Sequence, residues 1–389
     1  MLVSTGQEDF PIDSEIFSLL FENSVVHYRR DYTKALEKGS ISLRTLVDLS
    51  RDADIPYPLF FAPKEVVAEQ LSLKTRKLLQ GVSRDQFSMN ARGTVALSDI
   101  ELIVKDLLRK QELFKRHNPR AKKNKLVGLI SKVADPAVGA AALLDHLSLD
   151  MGDLRSLRTK EAAVKYYIEH LEDAQVLVAR SVRGFMPQPL DRVRFSGVTI
   201  RDSKVPYIFL AGGSHGEDEE PWGRQLFTLA LFTVMIGRKI FSPVTMDATS
   251  LLQVSPPEYS IAAEMLMPSD LVSDLDMSSM DLIRSAADSL KVTPSALVVR
   301  ANHLREIEDD TAEEFLKALS SEFRQRPKPR ARAPKPIKAV RKYNGDRFTR
   351  AMLAAMDAGY MSQGDFCRIV GGRKITPAHL PELRELMNR

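Results

Sequence analysis

Along residues 97–117 (LSDIELIVKDLLRKQELFKRH) apolar side chains recur at 100, 103, 104, 107, 108, 113 and 114. That spacing makes one apolar stripe on a helix. Similar patterning predicts helices over 14–37 and 41–54, hinged at Gly39, and others over 125–149 and 159–174. Residues 55–63 (IPYPLFFAP) carry three prolines and are expected to be extended. From residue 174 the pattern changes. AQVLVARSV (174–182), RVRFSGVTI (192–200) and VPYIFLAGG (205–213) are short, rich in β-branched residues and separated by turn formers, as in a small sheet. An acidic loop, HGEDEEP (215–221), then precedes WGRQLFTLALFTVMIGRK (222–239), where Leu226 to Ile236 are apolar except for Thr228 and Thr233. A helix with no polar face is buried all round. Helices follow near 256–267, 278–290, 294–308 and 311–323, with two or three more in 346–389. No internal repeat is present. The predicted fold class is α+β, mostly helical.

Composition narrows this. The chain has 389 residues, 44% hydrophobic and 28% charged, enough for a sizeable core in more than one domain. A single cysteine, Cys367, excludes an internal disulfide framework and a multi-cysteine zinc site, and suits a reducing cytosol as a small buried hydrophobe. The polar, acidic start MLVSTGQEDFPIDSE lacks the pattern of a signal peptide. No apolar run reaches the ~18 residues that span a bilayer. Arg224, Arg238 and Lys239 close around the longest one. A cytoplasmic protein with no membrane partner is expected. The net charge of +5 is uneven: residues 324–342 hold nine Lys/Arg and no acid, so the remainder is net acidic. Prolines 327, 329, 334 and 336 make that segment an extended tether. It could track phosphates or serve only as a solvated linker.

Four segments occur in a telling order: RFSGVTIRDSKVPYIFLAGG (194–213), RQLFTLA (224–230), AAEMLMP (262–268) and SLKVTPSALVVRANHLREI (289–307). Together they resemble the ImmA/IrrE metallopeptidase family. Upstream, EKGSISLRTLVDLSRDADIPYPLFFAP (37–63) resembles the tail of the Xre-type helix-turn-helix that precedes this peptidase in many members. Downstream, YNGDRFTRAMLAAMDAGYMSQGDFCRIVG (343–371) resembles their C-terminal helical module. The resemblance implies a zincin-like core with a small sheet. The expected divisions are a degenerate Xre-like helical module (1–90), a helical connector (91–150), the zincin-like domain (151–270), a helix-turn-helix-like pair (271–323), the basic linker (324–342) and a small C-terminal helical module (343–389).

The chemistry departs from the family. Its members place HExxH directly after FTLA, two histidines ligating zinc and the glutamate polarising a water. Here the first histidine is Leu231, the glutamate is Phe232, the second histidine is Met235, and the third ligand, a glutamate, is Ser255. Leucine offers no lone pair, a thioether is a poor zinc ligand, and Phe232 cannot accept a proton. Burying a lone histidine or carboxylate without its metal costs several kcal/mol, so replacing the whole set by apolar groups is coherent. The expectation is a pseudo-peptidase with no catalytic residue, metal or cofactor. The competing reading is a metallopeptidase with a relocated metal site that cleaves a repressor. The seven histidines (27, 117, 146, 170, 215, 303, 379) are scattered. His215 with Glu217, Asp218, Glu219 and Glu220 could hold a hard cation, although a solvated acidic turn is the commoner case. GGSHG (212–216) matches no phosphate loop and no nucleophile elbow.

What remains is binding. Residues 280–305 have helix-turn-helix spacing, with Pro294 suited to a first helical turn. Ser295, Val299, Asn302 and His303 would face outward, with Arg300 and Arg305 in reach of phosphates. Arg326, Lys328, Arg330, Arg332 and Lys335 would add non-specific phosphate affinity. The alternative is a helix pair packed beneath the core. The function expected is non-catalytic regulation by DNA binding, protein binding or both. The resemblance implies a stress, prophage or toxin–antitoxin setting. The partners would be double-stranded DNA and a toxin or repressor protein.

Overall fold

The computed structural model describes the chain except residues 23, 25, 27–28, 80–96, 183, 189, 191–194, 213–219, 246–255, 326–333, 373 and 389. Among the described residues helix takes 62% and strand 7%, so the mostly helical α+β expectation holds at that level.

The N-terminal residues build a core of their own. Leu2–Ser4 lies between Asp9–Pro11, antiparallel, and Ser40–Ser42, parallel. These three-residue strands are too short to display alternation, and the sequence pattern does not announce them. Gly39 (φ +63) ends helix Arg30–Lys38 in the left-handed region and turns the chain into the third strand. Ser42 caps the next helix, Leu43–Asp52, by accepting from Thr45 N. Residues 57–61 form a 3-10 turn, Tyr57–Phe61, instead of the expected extended segment. The fixed φ of Pro58 suits the start of a helical turn as well as it suits extension. This places Phe60 against Phe21, with ring centroids 4.6 Å apart, and both are buried beside Phe17 and Tyr32.

The second sheet has the order Leu177–Arg180, Tyr207–Leu210, Phe195–Ile200, Pro243–Thr245. The first pair is parallel and the other two are antiparallel. The three expected strands are present, and the proline-led fourth was not foreseen. Alternation sends Val178, Ile208, Leu210 and Val244 to one face and Leu177, Ala179, Val198, Tyr207 and Phe209 to the other. Helices Trp222–Gly237, Lys160–Asp173 and Pro257–Leu266 belong to the first core. The second face is covered by helix Leu97–His117 and by the tail helices Pro336–Asn344, Asp346–Asp357, Gln363–Ile369 and Leu380–Asn388. The helix assigned to a connector and the tail assigned to a separate module therefore share one core with the sheet.

The tether is shorter than its composition suggested. Helix Asp309–Gln325 runs into its start, and helix Pro336–Asn344 takes its end by burying Ile337, Ala339 and Val340. Pro336 sits in the first turn, where its missing N–H costs nothing. Among the described residues no helix is long and apolar enough to cross a membrane.

Candidate functional site

The helix Trp222–Gly237 is central to the first core. Every residue from Thr228 to Gly237 is buried, with Leu231 2% exposed and Phe232 and Met235 fully covered. Its neighbours explain the fit. The Phe232 ring lies on Gly197 of the sheet, where a Cβ would come within 2.9 Å of Cε2. Gly237 lets Ile130 and Leu143 approach to 2.9 and 3.0 Å of the same ideal position. Gly223 packs on the Val292–Thr293 backbone, so the turn of the helix-turn-helix-like pair rests on the start of this helix. The two threonines are satisfied locally. Thr228 Oγ1 donates to Arg224 O at 3.0 Å, and Thr233 Oγ1 donates to Leu229 O at 2.8 Å while accepting from Tyr167 OH at 3.0 Å. At the C-terminal end Arg238 donates to Glu258 Oε1 and to Val133 O, both at 2.9 Å.

Of the acidic loop, Glu220 is described and buried. Its Oε1 accepts from Ser196 Oγ at 2.9 Å, and burial raises its pKa against the pull of Arg224. His215, Glu217, Asp218 and Glu219 lie outside the described residues, as does Ser255. Among the described residues no cluster of three or more His, Cys, Asp or Glu side chains is disposed to hold a metal ion. At the positions that the resemblance assigns to ligands and base, Leu231, Phe232 and Met235 offer only hydrocarbon and a thioether.

The helices Met280–Ser289 and Pro294–His303 form the expected pair, the second capped by Thr293 Oγ1 accepting from Ala296 N at 3.2 Å. Their shared face, Ile283, Ala287, Leu297, Val298 and Ala301, is buried in the first core. Arg300 was expected within phosphate reach, and the structure corrects this. It is buried on the inward face, its Nε donating to Met267 O at 3.2 Å and its guanidinium paired with Glu264. Asn302 Nδ2 is engaged by Asp309 Oδ1 at 2.7 Å and by Ile307 O at 3.3 Å. Ser295 and Val299 are half-buried. His303 and Arg305 are exposed, beside the exposed acids Glu306, Glu308, Asp309 and Asp310. The exposed set therefore shrinks to His303 and Arg305, in acidic company. Of the tether cations, Lys335 is exposed at the start of helix Pro336–Asn344. Arg326, Lys328, Arg330 and Arg332 lie outside the described residues.

Two polar clusters on the second face escape the sequence. Lys110 Nζ lies 2.8 Å from Asp106 and only 1% of its side chain is exposed, yet its i,i+4 spacing reads as a solvated surface pair. Glu172, near the end of helix Lys160–Asp173, is buried against the tail and accepts from Arg347 N at 3.1 Å. No family model, curated protein or solved structure matches this chain.

Proposed function

We propose that this chain is a non-catalytic regulatory protein that acts by binding a protein partner, DNA or both. Its zincin-like core would be of the ImmA/IrrE kind, with the active helix converted into packing. The carrying observation is that Leu231, Phe232 and Met235 are all enclosed in apolar packing, with the nearby Tyr167 and Thr233 hydroxyls satisfied by each other and by Leu229 O. A water-activating site needs an open coordination position and a base in reach. This segment of helix presents neither. The setting implied by the resemblance is stress response, prophage control or a toxin–antitoxin module, with a toxin or repressor as protein partner.

Within that reading the helix-turn-helix-like pair is better supported as scaffold than as base reader. Its inward face is filled, Arg300 is held by Glu264, and the exposed end of the second helix is acidic. Elemental analysis of the purified chain, together with an assay for cleavage of an Xre-type repressor, tests the proposal. The expected outcome is zinc far below one per chain and an intact repressor. One tightly bound zinc per chain with repressor cleavage would falsify it.

A further inference from the structure

At one end of the second core, three turns are bound side by side. Helix Leu97–His117 closes on Lys115, Arg116 and His117 and runs into the turn 118–125. Asn124 N donates to Ser203 O at 2.9 Å, and Asn124 Nδ2 donates to Ala174 O at 2.9 Å. Gln175 Nε2 donates to both Lys122 O at 2.9 Å and Lys204 O at 2.6 Å. The backbones of 122–124, 174–175 and 203–204 thus form one fixed unit. The chain continues along the end of the central helix, where Gly128 N donates to Ile236 O at 3.1 Å and Ile130 N to Gly237 O at 3.0 Å.

The unit is strongly and openly basic. Residues 115–134 contain seven Lys/Arg and no acid. Arg116, Arg120, Lys122, Lys123, Arg201 and Lys204 are exposed, and none of them takes part in an ion pair among the described residues. Of the acids beside them, Glu112 and Asp202 are already occupied by Lys115, at 2.6 and 2.8 Å, and Asp173 is exposed next to Ala174. A concavity of about 460 Å³ opens between Arg116 and Lys204. Cations that share one surface repel one another unless counterions or a polyanion cover them. An aromatic ring stands beside His117, the residue that follows Arg116. Tyr360 is 75% exposed, and its centroid lies 6.3 Å from that of His117. Gly359 (φ +78) and the bond from Tyr360 N to Ala355 O at 2.9 Å fix the turn that displays it.

A fixed array of unpaired cations beside an outward aromatic face has the chemistry of a single-strand platform, phosphates tracking the charges while a base stacks on the ring. We propose that this end of the molecule binds single-stranded nucleic acid, with Arg116, Arg120, Lys122, Lys123 and Lys204 along the backbone and Tyr360 under a base. A duplex keeps its bases stacked and would leave the tyrosine idle. The surface is separate from the central helix and from the helix-turn-helix-like pair, so this inference stands independently of the ancestry proposed for the core.

The test uses the full chain and labelled DNA and RNA oligonucleotides of about 16 nucleotides, with the matched duplex, in an anisotropy titration over a salt series. Single strands should bind more tightly than the duplex, and the DNA and RNA arms identify the preferred sugar. Joint replacement Arg120→Gln, Lys122→Gln, Lys123→Gln and Lys204→Gln should flatten the log–log salt slope by about 2–3 units, from about 0.7 per single-strand phosphate contact. Tyr360→Ala should weaken binding by about 5- to 150-fold with the slope unchanged, the loss of one base–aromatic stack. All five side chains are replaced at exposed or surface positions, so unchanged thermal melting checks the fold. The inference is overturned if the wild type shows no salt-dependent binding or prefers the duplex. It is equally overturned if the fourfold variant keeps the wild-type slope, if Tyr360→Ala binds like wild type, or if polyglutamate displaces the oligonucleotide at equal charge. Loss of binding only on neutralising Arg326, Lys328, Arg330, Arg332 and Lys335 would assign the affinity to the tether and sink the platform.

Discussion

The two faces of the four-stranded sheet are covered to similar depth by different means. Toward the central helix the contacts are hydrocarbon: Val178, Ile208 and Leu210 meet a core containing Leu231, Phe232 and Met235. Toward helix Leu97–His117 and the tail, apolar packing is threaded with directional contacts. Tyr343 OH donates to Asp106 Oδ2 at 2.9 Å, and Lys110 Nζ sits 3.8 Å from the Tyr343 ring centroid. Tyr207 OH donates to Asn344 O at 3.2 Å, and Asn344 Nδ2 donates to Val370 O at 2.8 Å. Apolar burial is non-directional and tolerates small shifts. Directional bonds fix one register. The central helix lies between the strands of the sheet in sequence, whereas the tail helices, from Pro336 on, are remote in sequence from the sheet they cover. The polar contacts sit where that docking has to be specified.

The largest expected effect comes from breaking the polar face at its most buried charge. Burial pulls the Lys110 pKa down, and Asp106 opposes that pull. Lys110→Met keeps the volume but leaves the Asp106 carboxylate buried with only Arg109 and Tyr343 as partners. Removing one partner of a buried pair costs about 3–5 kcal/mol, and the low end, about 3 kcal/mol, is expected here because Arg109 still reaches Asp106 at 2.6 Å. Urea unfolding measures this. A variant within about 0.5 kcal/mol of wild type, the range of ordinary surface substitutions, would mean that the seam is wet and the contrast between the faces is wrong.

Glu172 sharpens the comparison through pH. Burial, with Asp346 nearby, pushes its carboxyl pKa up to about 8 from 4.5, against the backbone N–H of Arg347 and the charges of Arg350 and Arg180. A folded pKa above the unfolded one means that the folded state holds the proton longer. The contribution to stability is complete below about pH 4.5 and is lost as pH rises through about 8. At about 1.4 kcal/mol per pH unit for one proton, a fall on the order of 2–3 kcal/mol is expected between about pH 5.5 and 7.5. Glu172→Gln should remove that slope. Equal pH dependence of wild type and variant in denaturant midpoints would show that Glu172 ionises freely and that the tail does not enclose it.

How much of this was legible follows from where each signal resides. The central helix could be read because an all-apolar stretch needs no context to be buried, and helix 97–117 because its stripe has a helical period. The strands Leu2–Ser4, Asp9–Pro11 and Ser40–Ser42 could not, since three residues carry no period and their pairing joins distant segments. Arg300 was misjudged and Lys110 passed unnoticed for a common reason. Charge alone predicts solvent, and the partners that overturn it, Glu264 for Arg300 and Tyr343 beside Lys110, are supplied by elements remote in sequence. The fixation of the basic turn 118–125 against 203–204 and the placing of Tyr360 beside His117 were not legible, since both join segments remote in sequence.

The smallest effect probes a polar link on the face toward the central helix. Burial raises the Tyr167 phenol pKa well above its ordinary value, and its proton goes to Thr233 Oγ1. The threonine in turn donates to Leu229 O, so the chain of bonds runs one way. Tyr167→Phe removes the donor and leaves Thr233 satisfied, a loss of about 1 kcal/mol. Thr233→Val removes the acceptor and strands a buried phenol, at about 1–3 kcal/mol. The double variant, Tyr167→Phe with Thr233→Val, has no orphaned group and should be more stable than Thr233→Val alone. Thermal or urea unfolding of the three variants decides the order. If the double variant is as unstable as the sum of the singles, the two hydroxyls are not coupled, and the face toward the central helix holds polar character that the apolar side of the comparison leaves out.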